Sequence, residues 1–264
     1  MHHPWRRVTF ALACGLLLLN VAGPLQAASP PISPRASALM AETRPALERE
    51  LAARELRLGD PIFIRIFKIP GTLEVWIRSG PAFILFKRYP ICSYSGYPGP
   101  KLHEGDWQSP EGFYTVSARR MNPNSDYHLA FNIGYPNELD RQLHRTGSAI
   151  MVHGECSSRG CFAMGNLGMN EIYLLAHAAL AGGQEKFSVH VFPFPLTDDN
   201  LKKFASSPWI DFWKSLQPGY LAFEQSRTVP LVTVRDGRYV TAAPATRLAL
   251  LKTGETQKGN ENND

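Results

Sequence analysis

Dense charge, basic clusters and long apolar runs are all scarce in this sequence. Charged residues make up 19% of its 264 residues, and the formal net charge is only +5. No cluster of Lys and Arg alternates with aromatic residues, so this weak basic excess does not indicate nucleic-acid binding, although it suits a carboxylate-bearing polymer. After the first 22 residues, no apolar stretch approaches the ~20 residues of a spanning helix. We therefore expect no nucleic-acid partner and no membrane span in the body of the chain.

The one apolar run lies at the amino terminus. Met1–Arg7 contains two arginines and no acid, and Val8–Ala22 is almost wholly apolar. Leu25–Ala27 then offers small residues for cleavage, which completes the layout of a secretory signal peptide. An uncleaved anchor is the alternative. The sequence predicts a signal peptide over residues 1–27 and a periplasmic mature protein that begins near Ala28.

Cysteine is also rare, with four residues in the chain. Cys14 lies in the predicted signal peptide, so an exported chain keeps Cys92, Cys156 and Cys161. An odd number of thiols in an oxidising compartment leaves one that is unpaired or bonded to another chain. The leftover thiol is the first indication of a functional cysteine.

Hydrophobic periodicity predicts a chain that is mainly β in its middle, with added helices, hence an α+β fold. The predicted helices cover residues 38–58, 170–181, 198–205 and 209–216. The predicted strands cover residues 62–67, 73–77, 83–86, 112–117, 130–134, 149–153 and 187–192, with a hairpin over 231–240. These elements suggest a linker and amino-terminal helix over 28–60, a central domain over 61–195, a helical and hairpin extension over 196–242, and a disordered polar tail over 243–264.

The segment between His153 and Cys161 carries the most chemical information. A predicted strand ends at the histidine, and a short loop of mainly small residues then presents the cysteine. A thiol is a weak nucleophile until a base or a positive field removes its proton, and a nearby imidazole supplies both. The backbone N–H groups of Gly160 and Cys161 are candidates for an oxyanion hole. The pattern predicts a nucleophilic cysteine with a histidine as its proton-transfer partner.

Two other interpretations of these residues stay open. His153 may be read as a satisfied strand-end histidine and Cys161 as a buried structural thiol. A zinc site built from His153, Cys156 and Cys161 is the second alternative, but the nucleobase deaminases that use such ligands need a Pro-Cys-x-x-Cys segment that is absent here. We therefore do not expect a zinc site at these residues.

At these residues the sequence resembles the L,D-transpeptidase catalytic (YkuD) family. His153-Gly154 followed by Ser158-Arg159-Gly160-Cys161 is similar to the family's H-G…S-x-G-C signature. Upstream, residues 105–114 (GDWQSPEGFY) resemble its G-D-x-x-[ST]-P-x-G-x-[FY] segment. The resemblance spans residues 61–240 and implies a YkuD-type β-sandwich catalytic domain, with no cofactor.

Further segments are similar to the YafK-like branch of the family, in which one member is an amidase that detaches the major outer-membrane lipoprotein from peptidoglycan. They include residues 91–96 (ICSYSG), 132–137 (NIGYPN), 211–213 (DFW) and 236–240 (DGRYV). Crosslinking relatives usually continue G-C-[IV]-R-[ML], whereas Ala163 stands at the Arg position here. The resemblance thus implies peptidoglycan stem peptides and peptidoglycan-linked lipoprotein as partners, with amide cleavage favoured over crosslinking.

The same resemblance implies a role for each site residue. Cys161 would attack the carbonyl of meso-diaminopimelate, His153 would move the proton, and the Gly154 carbonyl would orient the imidazole. The candidate substrate-binding residues are Lys101, Tyr94, Ser158 and Arg159. For Lys101 and Tyr94, a solvated loop position is the alternative.

Two expectations separate the remaining alternatives. A non-catalytic peptidoglycan-binding module would have an inert thiol, whereas an activated thiolate should react with a thiol reagent near pH 6. The need to keep Cys161 reduced also predicts that Cys92 and Cys156 are disulfide-bonded or at least neighbours, and two small buried thiols are the alternative.

Overall fold

The computed structural model describes residues 29–242, and the predicted signal peptide and polar tail lie outside this range. The helices are α1 (Pro34–Ala52), α2 (Glu138–Gln142), α3 (Asn166–Ala181), α4 (Asp198–Lys203) and α5 (Ile210–Ser226). The strands are β1 (Ile62–Phe67), β2 (Thr72–Ser79), β3 (Ala82–Pro90), β4 (Ser93–Tyr94), β5 (Gly112–Ser117), β6 (Met121–Asn122), β7 (Ala130–Asn132), β8 (Met151–His153), β9 (Phe162–Ala163), β10 (Lys186–Phe192), β11 (Val232–Arg235) and β12 (Arg238–Thr241).

Two five-stranded sheets form the centre of the molecule. One has the order β3-β2-β1-β10-β5 and the other the order β4-β9-β8-β7-β6. The expected meander is confirmed, because β1, β2 and β3 pair antiparallel in sequence order. Apolar residues from both sheets, α1 and α3 join one hydrophobic core, and the rings of Phe131 and Phe187 meet edge to face across it at 5.5 Å. The expected α+β class is therefore correct.

Helix α1 begins and ends earlier than the predicted span of 38–58. The Ser33 hydroxyl caps it by accepting from the Ala36 N–H at 3.2 Å. Pro34 occupies the first turn, where a backbone N–H has no partner within the helix, so the missing N–H of proline costs no hydrogen bond. The helix passes through Pro45 rather than starting there, and it ends at Ala52. Its buried side chains pack into the core shared with α3, which fixes the segment against the domain.

Helix α5 is longer than predicted, because it continues past residue 216 through Pro218. Burial of large side chains on both sides of the proline outweighs the missing backbone hydrogen bond. Trp213 and Tyr220 join one apolar cluster with the β11–β12 hairpin, and Phe223 packs against Phe63 and Trp76. The carboxyl-terminal extension is thus packed directly on the first sheet.

A buried ion pair joins this extension to the segment before β5. Lys68 Nζ lies 3.1 Å from Glu111 Oε1, and neither side chain has exposed surface. Lys68 also donates to the Gly99 carbonyl at 2.7 Å, and Glu111 accepts from the Gly99 N–H and from Trp213 Nε1 at 2.7 and 2.8 Å. Burial lowers the pKa of Lys68, and the Glu111 carboxylate opposes that shift. Strand β1, the loop at Gly99 and helix α5 therefore meet at one charged contact.

Within residues 29–242, none of the helices has the combination of length and apolarity that crossing a bilayer requires.

Replacing Glu111 with Gln should destabilise the fold strongly, because it leaves the Lys68 charge buried without a counter-ion. Loss of one partner of a buried pair costs about 3–5 kcal/mol, whereas loss of an exposed pair costs less than about 1 kcal/mol. The matched control is Asp199→Asn, which breaks the exposed pair with Lys202. Urea unfolding under non-reducing conditions measures the free energy of unfolding of both variants. Equal midpoints would show that the buried Lys68–Glu111 pair stabilises the fold no more than the exposed pair.

Candidate active site

Neighbouring strands bring His153 and Cys161 to the same cavity. Strand β8 ends at His153, strand β9 begins immediately after Cys161, and the two strands pair in parallel with His153 opposite Ala163. Both His153 and Cys161 line a cavity of about 520 Å³. The parallel pairing thus places the end of one strand beside the start of the next, and eight positions of sequence separate two side chains that share a cleft.

The hydrogen bond of His153 determines its tautomer. Its Nδ1 lies 2.6 Å from the carbonyl oxygen of Gly154, and a carbonyl oxygen only accepts hydrogen bonds. Nδ1 therefore carries the proton in the neutral ring, which leaves Nε2 with a lone pair. A neutral imidazole in this tautomer can take a proton from a thiol through Nε2. The Tyr127 ring packs against the imidazole, with ring centroids 5.0 Å apart.

Cys161 is the free cysteine of the described chain, and it is half-buried. Its Sγ accepts from the Met151 N–H at 3.3 Å and lies 3.6 Å from the Ala149 carbonyl. The backbone donor favours a developing thiolate, while the carbonyl suits the protonated thiol. The sulfur therefore has a partner for each protonation state.

The resting site favours two neutral groups. Burial raises the pKa of the Cys161 thiol, opposed by the Met151 N–H and by the positive charge of Lys101. Burial lowers the pKa of His153, opposed by its bond to Gly154 and by the charge of Glu155. A thiol and a neutral imidazole fit proton transfer during attack rather than a preformed thiolate–imidazolium pair.

Serine hydroxyls hold the loop that presents Cys161. Ser158 Oγ donates to the Cys161 carbonyl at 2.7 Å, and Ser109 Oγ reaches the same oxygen at 3.3 Å. The Gly160 N–H donates to Ser95 Oγ at 2.6 Å and lies 3.2 Å from Ser158 Oγ. The expectation that the Gly160 N–H is free to bind an oxyanion is therefore wrong for this structure, because two hydroxyl oxygens already accept from it.

The expected disulfide between Cys92 and Cys156 is confirmed, with Cα atoms 5.3 Å apart. It ties the loop between His153 and Cys161 to the start of the segment that contains β4, and the Cys92 N–H adds a bond to the Ala163 carbonyl at 2.8 Å. A disulfide-bonded sulfur cannot bind zinc as a thiolate, so Cys156 is not available as a ligand in the alternative zinc site. Among residues 29–242 no group of three or more His, Cys, Asp or Glu side chains is arranged for a metal.

Comparison with known proteins places this site in a family. The L,D-transpeptidase catalytic domain (YkuD) matches residues 71–180. YafK of Escherichia coli K12, which carries a provisional name as an L,D-transpeptidase, is 45% identical over 187 residues, covering 71% of this chain and 76% of YafK. The same protein from Escherichia coli O157:H7 matches equally. This chain belongs to the L,D-transpeptidase family.

Two solved structures are also similar. The helical cell shape determining protein Pgp2 of Campylobacter jejuni (K307A mutant) is 22% identical with a TM-score of 0.41, covering 71% of this chain and 63% of Pgp2. Bd1075 of Bdellovibrio bacteriovorus is 18% identical with a TM-score of 0.36, covering 67% of this chain and 78% of Bd1075.

The four candidate substrate-binding residues separate into two pairs. Ser158 and Arg159 line the cavity of this L,D-transpeptidase-family site. Lys101 does not line it, because its side chain is 3% exposed and pairs with Asp106. Tyr94 pairs with Phe162 across β4 and β9 and faces a different cavity. The loop position of Lys101 and Tyr94 predicted exposure, but burial of one and strand pairing of the other remove both from the cleft.

Trp107, Asp126 and Tyr127 are among the residues of the cavity wall that sequence reasoning missed. Trp107 is 59% exposed, and the Arg159 guanidinium lies over its ring, 5.3 Å from the ring centroid. Asp126 and Tyr127 form the wall on the His153 side. Trp107 lies within the G-D-x-x-[ST]-P segment, so its position in that motif was the available signal. Nothing in the local pattern around Asp126 and Tyr127 marks them.

The two neutral groups predict a specific pH dependence. The pKa of Cys161 is raised, so the thiolate fraction at pH 6 is small, and alkylation of Cys161 by iodoacetamide should rise about tenfold per pH unit up to that raised pKa. Fast labelling near pH 6, by contrast, is what an activated thiolate would give. Turnover needs neutral His153, and burial lowers the pKa of this imidazole below its ordinary value of 6.5. The pH at which kcat/KM is halved on the acid side should therefore lie below 6.5.

Peptide-mapped labelling rates from pH 5 to 10, with N-acetylcysteine as reference in the same solution, provide the measurement. Fast labelling at pH 6 with a flat profile would demonstrate a preformed ion pair and contradict this assignment of protonation states.

Proposed function

We propose that the protein is an exported cysteine amidase that cleaves the bond between peptidoglycan and the major outer-membrane lipoprotein at the carbonyl of meso-diaminopimelate. The observation that supports this most is the tautomer of His153, which leaves Nε2 as a base in the cavity that contains Cys161. Sequence similarity also supports the proposal, since the chain is 45% identical to YafK over most of both proteins.

The proposed chemistry proceeds in two steps. Cys161 Sγ attacks the amide carbonyl while His153 Nε2 takes the thiol proton, and the imidazolium then gives that proton to the leaving amine. A thioester now joins the acyl group to Cys161. His153 next takes a proton from water, the resulting oxygen nucleophile attacks the thioester, and a carboxylate and the thiol are released. The thiol proton thus leaves on the amine, a proton from water replaces it on Cys161, and the acid product loses its remaining proton to solvent. The enzyme returns to its starting state, and the steps use no group beyond Cys161, His153 and water.

The environment of Ala163 supports hydrolysis over crosslinking. Crosslinking relatives have Arg at this position, whereas Ala163 here has no exposed surface and pairs with both His153 and Ser93. A guanidinium at this point would need repacking of β4, β8 and β9. The site therefore lacks a cation that crosslinking relatives have next to the nucleophile. L,D-transpeptidation, with an amine in place of water, is the alternative outcome of the same acyl-enzyme.

The product distribution tests the proposal. The exported form, with its amino terminus sequenced to locate cleavage near Ala28, is incubated with lipoprotein-linked muropeptides and with tetrapeptide muropeptides, and the products are identified by mass spectrometry. We expect released lipoprotein and few new crosslinks. Cys161→Ala should abolish release, and His153→Ala should lower it by about 10²–10⁴-fold.

His144→Ala is the matched control, because His144 is exposed and lies outside the cavity. Abundant new crosslinks without released lipoprotein would identify a transpeptidase instead. Unchanged turnover in Cys161→Ala would remove the cysteine from the chemistry, and an intact Met1 on a cytosolic protein would refute export.

A further inference from the structure

The cavity at Cys161 continues into a second cavity. The second space, of about 450 Å³, shares Asn122 and Met151 with the first one. Its far end is formed by Arg119, Arg120 and Gly134. The two cavities therefore adjoin at Asn122 and Met151, with Cys161 and His153 on one side and a pair of arginines on the other.

The arginine end is positively charged and lacks counter-ions. No Asp or Glu lines the second cavity. None of the ion pairs formed by residues 29–242 includes Arg119, Arg120 or the neighbouring Arg141. Burial lowers the pKa of Arg120, and the positive charge of Arg141 lowers it further. An anion at this end would relieve that repulsion.

The backbone holds Arg120 in a defined position. Its Nη1 donates to the Thr115 and Ile133 carbonyls at 2.5 and 3.3 Å. A guanidinium has five N–H groups, so the others remain for a ligand. Gly134 has φ +91°, and a Cβ there would lie 1.4 Å from Arg120 Nη1. The glycine of the segment 132–137, noted above for its likeness to the YafK-like branch, therefore makes room for the guanidinium.

The strand register gives the distance between the two ends. Met151 donates to Cys161 Sγ at 3.3 Å, and Met151 is the cross-strand partner of Asn132. Adjacent strands lie about 4.8 Å apart, and Arg120 contacts Ile133, the residue after Asn132, so its guanidinium is about 10 Å from the sulfur. An extended chain spans at most ~3.6 Å for every three backbone bonds, and a hydrogen bond adds about 2.9 Å. An oxygen six or seven bonds from the scissile carbonyl can therefore reach a guanidinium at about 10 Å.

We propose that the Arg119–Arg120 end of the cleft is a subsite for a free carboxylate of the substrate, about 10 Å from the amide bond that Cys161 attacks. The inference deepens the proposed function and rests on it. Guanidinium groups bind carboxylates through two parallel hydrogen bonds, which fixes both position and orientation. The carboxylate has two possible sources: the far end of diaminopimelate on the acyl side, or the leaving peptide.

Binding to the full-length chain with Cys161→Ala tests the subsite without turnover. Two pairs of peptide amides are compared by calorimetry. In the first pair the far carboxylate of diaminopimelate is free or amidated, and in the second pair the carboxylate of the leaving peptide is free or amidated. We expect one pair to show about tenfold tighter binding of the free carboxylate, as for a charged hydrogen bond. The pair that shows the preference identifies the source.

Arginine variants in the same background decide whether this end of the cleft is responsible. Arg120→Gln should remove the preference for the free carboxylate. Arg120→Lys should keep part of it, since lysine retains the positive charge but cannot donate two parallel hydrogen bonds to one carboxylate. Arg119→Gln changes an exposed side chain, so it tests the same site without risk to folding. Arg49→Gln on the exposed face of α1 is the matched control and should keep the full preference.

No preference in either pair, or a preference that survives both Arg119→Gln and Arg120→Gln, would overturn the subsite. Failure of the proposed function looks different, because it leaves the wild-type protein without amide cleavage while the carboxylate preference in binding persists.

Discussion

The buried contact between Lys68 and Glu111 is the constraint on which the surroundings of the site depend. Two charges without exposed surface need each other, and their remaining hydrogen bonds bind Gly99 and Trp213. Strand β1 of the first sheet is thereby fixed to helix α5 and to the loop that follows β4. Cys92 lies just before β4 and Ser95 just after it, and both residues hold the segment that presents Cys161. The position of the sulfur thus follows from packing well outside the cleft.

Protonation in the cleft follows from burial and one backbone carbonyl. The Gly154 oxygen fixes the His153 tautomer, and burial keeps the imidazole neutral and the thiol protonated. In the proposed mechanism, this neutral pair would transfer the proton during attack on a substrate carbonyl. A second cavity, lined by Arg119 and Arg120, adjoins this cleft at Asn122 and Met151.

The sequence predicted the elements that depend on local pattern. The alternation in residues 112–117 and 187–192 predicted β5 and β10 to within a residue. The motif spacing predicted that His153 and Cys161 act together, and both side chains line one cavity. Other features depend on tertiary packing and could not be predicted. Lys101 looks exposed in sequence but pairs with Asp106 in the interior, and the Gly160 N–H looks free but binds Ser95. Helix α5 passes Pro218 because distant aromatic rings bury its far turn.

The central claim is that Cys161 carries the acyl group while His153 moves the proton. Intact-protein mass spectrometry after rapid acid quenching measures this most directly, because acid preserves a thioester. The account predicts an adduct with the mass of the acyl fragment, located on the peptide that contains Cys161 and removed by hydroxylamine. Substrate turnover without any adduct on Cys161, or an adduct on another residue, would contradict it.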